Sequence, residues 1–275
     1  MSTLYLVSTP IGNLEDLSPR AIRILREVKL IAAEDTRRTV KLLNHFQIST
    51  PSTSYYEHNK GYKTEAVMNA LSQGDVALVS DAGTPGLNDP GYLLVRAAID
   101  AGHTVSPIPG PSAPIAALVV SGLPTDRFIY LGYLPRKAGE RQRAIQDVKS
   151  LSYTLIFFET PHRMLESLQD LQDILGDRQI AVAGELTKMF EEVFRGKISE
   201  AKIQFQGHPA RGEYTLIIDG QSKSAEKWQE EELQAAIRVM LDSDISPSQA
   251  AQQLAEQSGW PRRKIYKILT EIRNQ

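Results

Sequence analysis

The sequence predicts an α/β protein with two α/β domains, the first on a parallel sheet and the second on a mixed sheet, followed by a small helical unit. Three observations support this prediction. Apolar strands alternate with helical patterns in the first 120 residues, which is typical of βαβ units in a parallel sheet. The later strands have short connections, which favours a partly antiparallel sheet. The end of the chain contains only helical patterns. We expect domains at 1–121, 122–221 and 226–275.

The first domain is predicted from short β-branched runs and from two helix starts. Ser18-Pro19 and Asp89-Pro90 each combine an N-cap residue with a proline in the first helical position. Further helices are predicted over 37–46 and 64–71. The predicted strands are 3–8, 30–33, 76–80 and 105–108.

The second domain is predicted to begin after the small-residue and proline-rich stretch 121–126. Helices are expected near 139–149 and 161–175. The predicted strands are 128–131, 153–158, 179–183, 192–194 and 213–218.

The C-terminal unit follows a polar linker at 221–226. Three helices are predicted over 231–241, 247–256 and 261–272. Ser246 and Gln249 have the spacing of a capping box, and Ser258-Gly259 marks the end of the middle helix. The last two helices resemble a helix-turn-helix.

Composition excludes several classes of protein. Hydrophobic residues make up 41% and charged residues 23%, with a net charge of −2, unlike an intrinsically disordered chain. A protein that coats nucleic acid by bulk charge would be strongly basic. The absence of cysteine excludes disulfides, iron–sulfur clusters and thiol nucleophiles. The N-terminus lacks the basic start of a signal peptide, and no apolar run approaches about 18 residues, so we expect a soluble, cytoplasmic protein.

Two glycine- and proline-rich loops are the strongest candidates for a ligand site. Asp81 to Gly91 (DAGTPGLNDPG) follows a buried strand and precedes a helix, and Pro109 to Ala113 (PGPSA) has the same placement. In an open parallel sheet, ligands bind at the carboxyl ends of the strands. A tight connector is the plainer interpretation, but connectors are usually shorter, at about 5 residues. Thr9 to Leu14 (TPIGNL) would form a third wall.

Four other segments place polar side chains at strand ends. AEDTRR at 33–38 is either part of a site or a solvated turn with ion pairs. In FFETPHR at 157–163, a basic pair opposes the helix dipole, which an anion or a carboxylate would relieve; exposed surface is the alternative. GELTK at 184–188 and GEYT at 212–215 complete the set.

Two common cofactor motifs are absent. The chain contains neither G-x-G-x-x-G nor a P-loop, so a standard dinucleotide fold or a P-loop enzyme is not supported. The five histidines show no metal-ligand spacing, and we expect no metal. They are His45, His58, His103, His162 and His208.

These motifs, in this order, resemble the ribosomal RNA small subunit methyltransferase I family of the tetrapyrrole methylase superfamily, over the whole chain. The resemblance implies S-adenosylmethionine in a cleft between two α/β domains, methyl transfer to the ribose 2′-hydroxyl of a cytidine in the decoding region of small-subunit ribosomal RNA, and a homodimer. The donor-binding residues that it implies are Pro10, Asp81, Gly83, Asp89, Ser112, Ala113, Phe158, Glu185, Leu186 and Gly212.

A ribose hydroxyl is a poor nucleophile until a general base removes its proton. Among the strand-end groups, Glu185 and Lys188 are the first candidates for that base, and Glu159 is the second. A methylase of a tetrapyrrole-like small molecule and a non-catalytic RNA-binding assembly protein are the alternative functions.

RNA contacts are expected at two local basic clusters because the net charge is slightly negative. Arg262, Arg263 and Lys264 occupy the first turn of the last predicted helix, where phosphates would relieve the conflict with the dipole. Arg136 and Lys137 belong to a basic stretch from 134 to 150. A solvated helix face or a dimer contact is the alternative for the C-terminal cluster.

Overall fold

A computed structural model describes residues 2–55, 60–88, 91–207, 212–221, 228–241 and 245–273. The chain divides into two compact units: residues 1–149 with 153–220, and residues 150–152 with 221–275.

The described residues of the first unit contain ten strands and eight α-helices. The strands are β1 (Thr3–Val7), β2 (Leu30–Ala33), β3 (Ser52–Ser54), β4 (Val76–Val79), β5 (Thr104–Ile108), β6 (Phe128–Tyr133), β7 (Thr154–Glu159), β8 (Gln179–Gly184), β9 (Glu192–Lys197) and β10 (Tyr214–Ile218). The helices are α1 (Pro19–Glu27), α2 (Thr36–His45), α3 (Lys60–Leu71), α4 (Gly91–Asp100), α5 (Ala113–Ser121), α6 (Ala138–Asp147), α7 (Met164–Leu175) and α8 (Ile198–Gly207).

The parallel sheet has the strand order β3-β2-β4-β1-β5, and every pair of neighbours is parallel. Its central strand β4, VALV, is buried along its whole length because helices cover both faces. One core cluster packs the sheet against α1 and α2, and the other packs it against α3 and α4. The predicted parallel architecture of the first domain is confirmed.

The mixed sheet has the order β6-β7-β10-β8-β9. Only β6 and β7 are parallel; the other three neighbouring pairs are antiparallel. Helix α5, which follows the last strand of the parallel sheet, packs on this second sheet through Ala117 and Leu118. That helix therefore links the two sheets, and the predicted mixed sheet is confirmed.

Strand β5 lies at the edge of the parallel sheet and contains Pro107. The amide of Thr104 donates to Ser2, and the carbonyl of Ile108 accepts from Ser8, so these two residues face β1. Along a strand, the backbone N–H and C=O groups of successive residues point alternately to one neighbouring strand and to the other side. The nitrogen of Pro107, which lies between Ser106 and Ile108, therefore points away from β1. The missing N–H of this proline therefore removes no hydrogen bond from the sheet.

The second unit contains α9 (Glu230–Leu241), α10 (Pro247–Ser258) and α11 (Arg262–Arg273). Side chains from all three helices form one core, which includes Leu233, Leu254 and Ile265. Ser246 and Gln249 form the predicted capping box, and Gly259 ends α10 with a φ of +67°.

One strand and one helix of the structure were not predicted from the sequence. Strand β3 consists of three polar residues, and α8 follows β9 without an intervening glycine or proline. The predicted helix start at Asp89-Pro90 lies outside the described residues, and α4 is described from Gly91. In the part of the chain that the structure describes, we find no helix whose length and apolar character would let it span a bilayer.

Candidate functional site

Three loops meet at the carboxyl ends of β1, β4 and β5. Thr9 and Gly83 exchange two backbone hydrogen bonds of 2.9 Å, which joins the loop after β1 to the loop after β4. The hydroxyl of Thr84 lies 3.1 Å from that of Ser8 and donates to the Pro111 carbonyl at 3.1 Å. The three predicted loops therefore form one cross-linked wall.

Gly83 is required by its backbone conformation. Its φ of +81° is one that L side chains rarely adopt, whereas a Cβ built there would meet Ile11 and the Pro111 carbonyl only at ordinary contact distances of 3.4 and 3.7 Å. Larger residues at this position would strain the loop itself, so Gly83 shapes the wall.

Asp81 connects this wall to the AEDTRR segment. Its carboxylate accepts a 3.0 Å hydrogen bond from the Asp35 amide and lies 3.4 Å from the Arg38 guanidinium, while its own amide donates to Glu34 at 3.1 Å. Burial raises the pKa of Asp81, and the charge of Arg38 opposes that shift. Glu34 and Arg38 of this segment line the cleft, whereas Asp35 and the exposed Arg37 form an ion pair of 2.7 Å, so the segment has features of both interpretations.

The cleft runs between the two sheets and has a volume of about 260 Å³. The parallel-sheet side contributes the three loops and the start of α5, and the mixed-sheet side contributes residues at the ends of β6, β7, β8 and β10. Among the described residues, the charged side chains that line it are four carboxylates and two cations: Glu34, Asp81, Glu185, Glu213, Arg38 and Lys188. The lining is therefore acidic on balance, with apolar walls that include Ile11, Leu87, Pro114, Phe158 and Leu186.

Glu185 and Lys188 form an ion pair in this cleft. The Lys188 ammonium lies 2.8 Å from Glu185 Oε1, and the carboxylate is the less exposed partner. Glu185 and Thr187 both have a positive φ, of 50° and 67°. Such conformations are uncommon outside glycine and concentrate at functional sites.

Two glycines hold this segment in place. A Cβ on Gly12 would lie 2.6 Å from Lys188 Cγ and 2.7 Å from Thr187 Oγ1, so the loop after β1 packs directly on the loop after β8. Gly212 has a φ of +76°, and a Cβ there would overlap the Glu185 carboxylate. Both glycines therefore allow close approaches that fix Glu185 and Lys188.

Glu159 has a different environment from the other candidate bases. It is fully buried, and its oxygens accept hydrogen bonds from the Thr160 amide at 2.6 Å and from the Ser167 hydroxyl. Arg163 pairs with it at 2.6 Å, which identifies the carboxylate that the basic FFETPHR segment was expected to need. Glu159 does not line the cleft, and this satisfied environment suits a structural role better than proton transfer.

The predicted donor-binding residues divide into three groups. Seven of the ten line the cleft, and one of these, Ser112, is the N-cap of α5 but makes no capping hydrogen bond through its side chain. Pro10 lines a smaller neighbouring cavity, and Gly212 contacts Glu185 without lining the cleft. Asp89 lies outside the described residues. The seven are Asp81, Gly83, Ser112, Ala113, Phe158, Glu185 and Leu186.

Several lining residues were not among the predicted site residues. Tyr133 ends β6, and Tyr214 begins β10. Burial raises the pKa of the Tyr133 phenol, and the nearby Glu213 carboxylate adds to the shift. Both residues lie at the ends of strands, and this position is the feature by which the sequence could have indicated them as site residues. The sequence alone could not show that they face the cleft.

The cations predicted to contact RNA lie in two places. In the first unit, Arg136 precedes α6, and Lys137 pairs with Glu140 at 3.0 Å. Arg141 of the same basic stretch is 3% exposed and pairs with Asp170 at 2.6 Å, so it does not contribute to a surface cluster. In the helical unit, Arg262 donates to Ser248, Arg263 is exposed, and the ammonium of Lys264 lies 4.3 Å from the Trp260 ring centroid.

No group of three or more acidic or histidine side chains suited to a metal ion occurs among the residues that the structure describes.

The chain is similar to known proteins over nearly its whole length. Residues 3–202 match the family described as Tetrapyrrole (Corrin/Porphyrin) Methylases. The ribosomal RNA small subunit methyltransferase I of Synechocystis sp. is 46% identical, with 99% of each chain aligned. The protein of the same name from Escherichia coli O157:H7 is 43% identical, over 98% of this chain and 94% of its own.

Two solved structures share the fold at low sequence identity. A diphthine synthase superposes with a TM-score of 0.63 at 15% identity, covering 80% of this chain and 90% of its own. The uroporphyrin-III-C-methyltransferase of Thermus thermophilus gives 0.54 at 19% identity, covering 80% and 94%. The predicted two-sheet fold is thus that of the tetrapyrrole methylases.

Proposed function

We propose a function from the premise that this chain belongs to the ribosomal RNA small subunit methyltransferase I family, within the tetrapyrrole methylases. The protein is an S-adenosylmethionine-dependent methyltransferase that acts on small-subunit ribosomal RNA. The observation that carries this proposal is the cleft between the two sheets, with an acidic lining at the ends of four strands and three cross-linked loops.

The cleft fits the chemistry of the donor. S-adenosylmethionine carries two positive groups and one carboxylate, so an acidic lining complements its net charge. Its extended shape matches a site in which Gly83 and Ala113 leave room near the backbone and Phe158 and Leu186 offer apolar surface. Asp81 and Ser112 would supply hydrogen bonds, and Gly212 would act through Glu185.

The finer proposal is methyl transfer to the ribose 2′-oxygen of a cytidine in the decoding region. When bound, the donor supplies a methyl group activated by its sulfonium. The chain aligns the two reactants within the cleft. The Glu185 carboxylate takes the proton of the ribose hydroxyl, and the Lys188 ammonium holds that carboxylate in place. We also propose a homodimer and a cytoplasmic location. Mapping of 2′-O-methylation in ribosomal RNA from cells with and without the gene tests the acceptor.

Replacing Asp81 with alanine is expected to weaken donor binding by roughly 10- to 100-fold. The change removes a half-buried carboxylate that faces a cationic ligand and also anchors Asp35 and Arg38, and a hydrogen bond to a charged group contributes about 1.5–3 kcal/mol. Calorimetric titration with S-adenosylmethionine measures the effect. Asp147→Ala, an exposed acid at the end of α6, is the matched control. Equal affinity in both variants would remove Asp81 from the donor site.

Charge reversal at Arg262 and Arg263 is expected to raise the KM for RNA and to make this KM depend less on the salt concentration. If these exposed cations contact phosphates, each lost contact reduces the salt slope by roughly 0.7–0.9. Methyl-transfer assays at several salt concentrations check this, with donor affinity measured in parallel. Unchanged salt dependence would favour a structural role for the start of α11.

A further inference from the structure

In the part of the cleft that the structure describes, the phosphates of an RNA acceptor would meet no unpaired cation. Among the described residues that line it, two of the six charged side chains are cations, and both are paired, Arg38 with Asp81 and Lys188 with Glu185. A ribose that enters the cleft brings phosphates on both sides of it, each with a negative charge. Cations close to the cleft are therefore needed to position the acceptor strand.

A second, smaller cavity adjoins the cleft behind the Arg38–Asp81 pair. It has a volume of about 180 Å³ and shares Arg38, Ser80 and Asp81 with the cleft. Its other walls are the loop after β1, through Thr9, Pro10 and Leu14, and one face of α2, through Thr39, Lys41 and Leu42. Arg38 and Asp81, which pair at 3.4 Å, thus line both the cleft and the side cavity.

Lys41 is the available cation of this side cavity. It is exposed, and it forms no ion pair or side-chain hydrogen bond with any residue in the described ranges. Since Arg38 and Asp81 pair with each other, Lys41 is the charge in excess among the described residues that line the cavity. The balance of charge therefore reverses from acidic in the cleft to basic in the cavity beside it.

The basic character continues away from the cavity along two neighbouring helices. Helices α1 and α2 pack on the same core cluster, and Arg26 of α1 donates to the Phe46 carbonyl at the end of α2. Together the two helices carry six lysine and arginine residues and one acidic residue, Glu27. The two helices thus carry an excess of positive charge, although Arg23 pairs with Glu27 and Arg37 pairs with Asp35.

We propose that the side cavity binds a backbone phosphate of the acceptor RNA next to the methylated ribose, with Lys41 as the main contact and Arg38 as the shared wall. The inference rests on the proposed function, since it assumes an RNA acceptor in the cleft. It adds Lys41, which is not among the implied donor-binding residues and lies on a different helix from the two predicted RNA-binding clusters, although the implied donor-binding residues Pro10 and Asp81 line the same cavity. Lys41 acts on the placement of the acceptor and not on the chemical step.

The test is the methylation of small-subunit ribosomal RNA by the full-length protein carrying Lys41→Ala, Lys41→Glu or Lys41→Arg. The acceptor is assembled small subunits or deproteinised RNA from cells lacking the gene, whichever the unmodified protein methylates faster. The control is Lys29→Ala, which removes an exposed cation far from the cleft. Lys29 precedes β2, at the amino ends of the parallel strands, where its amide donates to the Asp75 carbonyl. The readouts are kcat, the KM for RNA at several salt concentrations, and the Kd for S-adenosylmethionine.

We expect Lys41→Ala to raise the KM for RNA by roughly tenfold, since a charge-assisted contact is lost, with little change in kcat or in donor affinity. Lys41→Glu should have the larger effect, Lys41→Arg should restore most of the loss, and the salt slope should fall by roughly 0.7–0.9. A KM and salt slope equal to those of Lys29→Ala would overturn the phosphate site. A parallel loss of donor affinity would also overturn it, because the cavity would then belong to the donor site. If the unmodified protein transfers no methyl group to either acceptor, the proposed function itself fails.

Discussion

Replacing Glu185 with glutamine is expected to lower turnover by about 10²–10⁴-fold, the usual cost of losing a general base. Glutamine keeps the shape of the side chain that Gly212 accommodates but cannot take a proton from the acceptor hydroxyl. Lys188→Met should also lower turnover, because the carboxylate would lose the partner that lies 2.8 Å away. Single-turnover methyl transfer measures the chemical step, and calorimetry should show that donor affinity changes much less.

Glu213→Gln provides the matched control for this experiment. Glu213 also lines the cleft, so its replacement removes a carboxylate from the same lining without touching the Glu185–Lys188 pair. Near-normal turnover in Glu185→Gln and Lys188→Met would exclude both residues as the base. An equal loss of turnover in all three variants would indicate that turnover depends on the total charge of the cleft and not on a single residue that accepts the proton.

The second large effect is expected on stability, from Glu159→Ala. This buried carboxylate accepts hydrogen bonds from Thr160 and Ser167 and pairs with Arg163, whose side chain is 17% exposed. Removing one partner of a buried ion pair leaves the other charge without compensation and costs about 3–5 kcal/mol. Urea unfolding should therefore show a lower midpoint for Glu159→Ala.

The comparison pair for this measurement lies on the surface. Lys137 and Glu140 are 3.0 Å apart but mostly exposed, and Glu140→Ala should cost less than about 1 kcal/mol. A double-mutant cycle of Glu159 with Arg163 isolates their coupling. Comparable small losses at both pairs would contradict a structural role for Glu159 and would return it to the candidates for proton transfer.

The position of the cleft could be predicted from the sequence because it follows from topology. Parallel strands place their carboxyl ends at one edge, so the loops that begin at Thr9, Asp81 and Pro109 had to meet there. The same rule treats Glu159 and Glu185 alike, since each lies at a strand end. What separates them is the direction of the side chain, toward Arg163 or toward the cleft, and no local pattern encodes it.

The failure to predict β3 and α8 from the sequence also has local structural reasons. Strand β3 is polar and short, and it is held by pairing with β2 and not by its own apolar residues. Helix α8 begins directly after β9, where the Glu200 carboxylate accepts the Lys197 amide at 2.7 Å. That contact marks the transition from strand to helix, and Gly196 near the end of β9 leaves room for the carboxylate, because a Cβ there would lie 2.5 Å from Glu200 Oε2.

The proline of the edge strand β5 has a consequence for how copies of this protein can associate. The nitrogen of Pro107 faces outward, so the free side of that strand lacks a donor in its middle. The opposite edge, β3, is only three residues long. Both edges therefore resist the addition of a strand from another molecule. In the described residues, a continuous intermolecular sheet would therefore have to be built on the mixed sheet, whose edge strands β6 and β9 have six residues each. A dimer that used the parallel sheet would instead be held by side-chain packing.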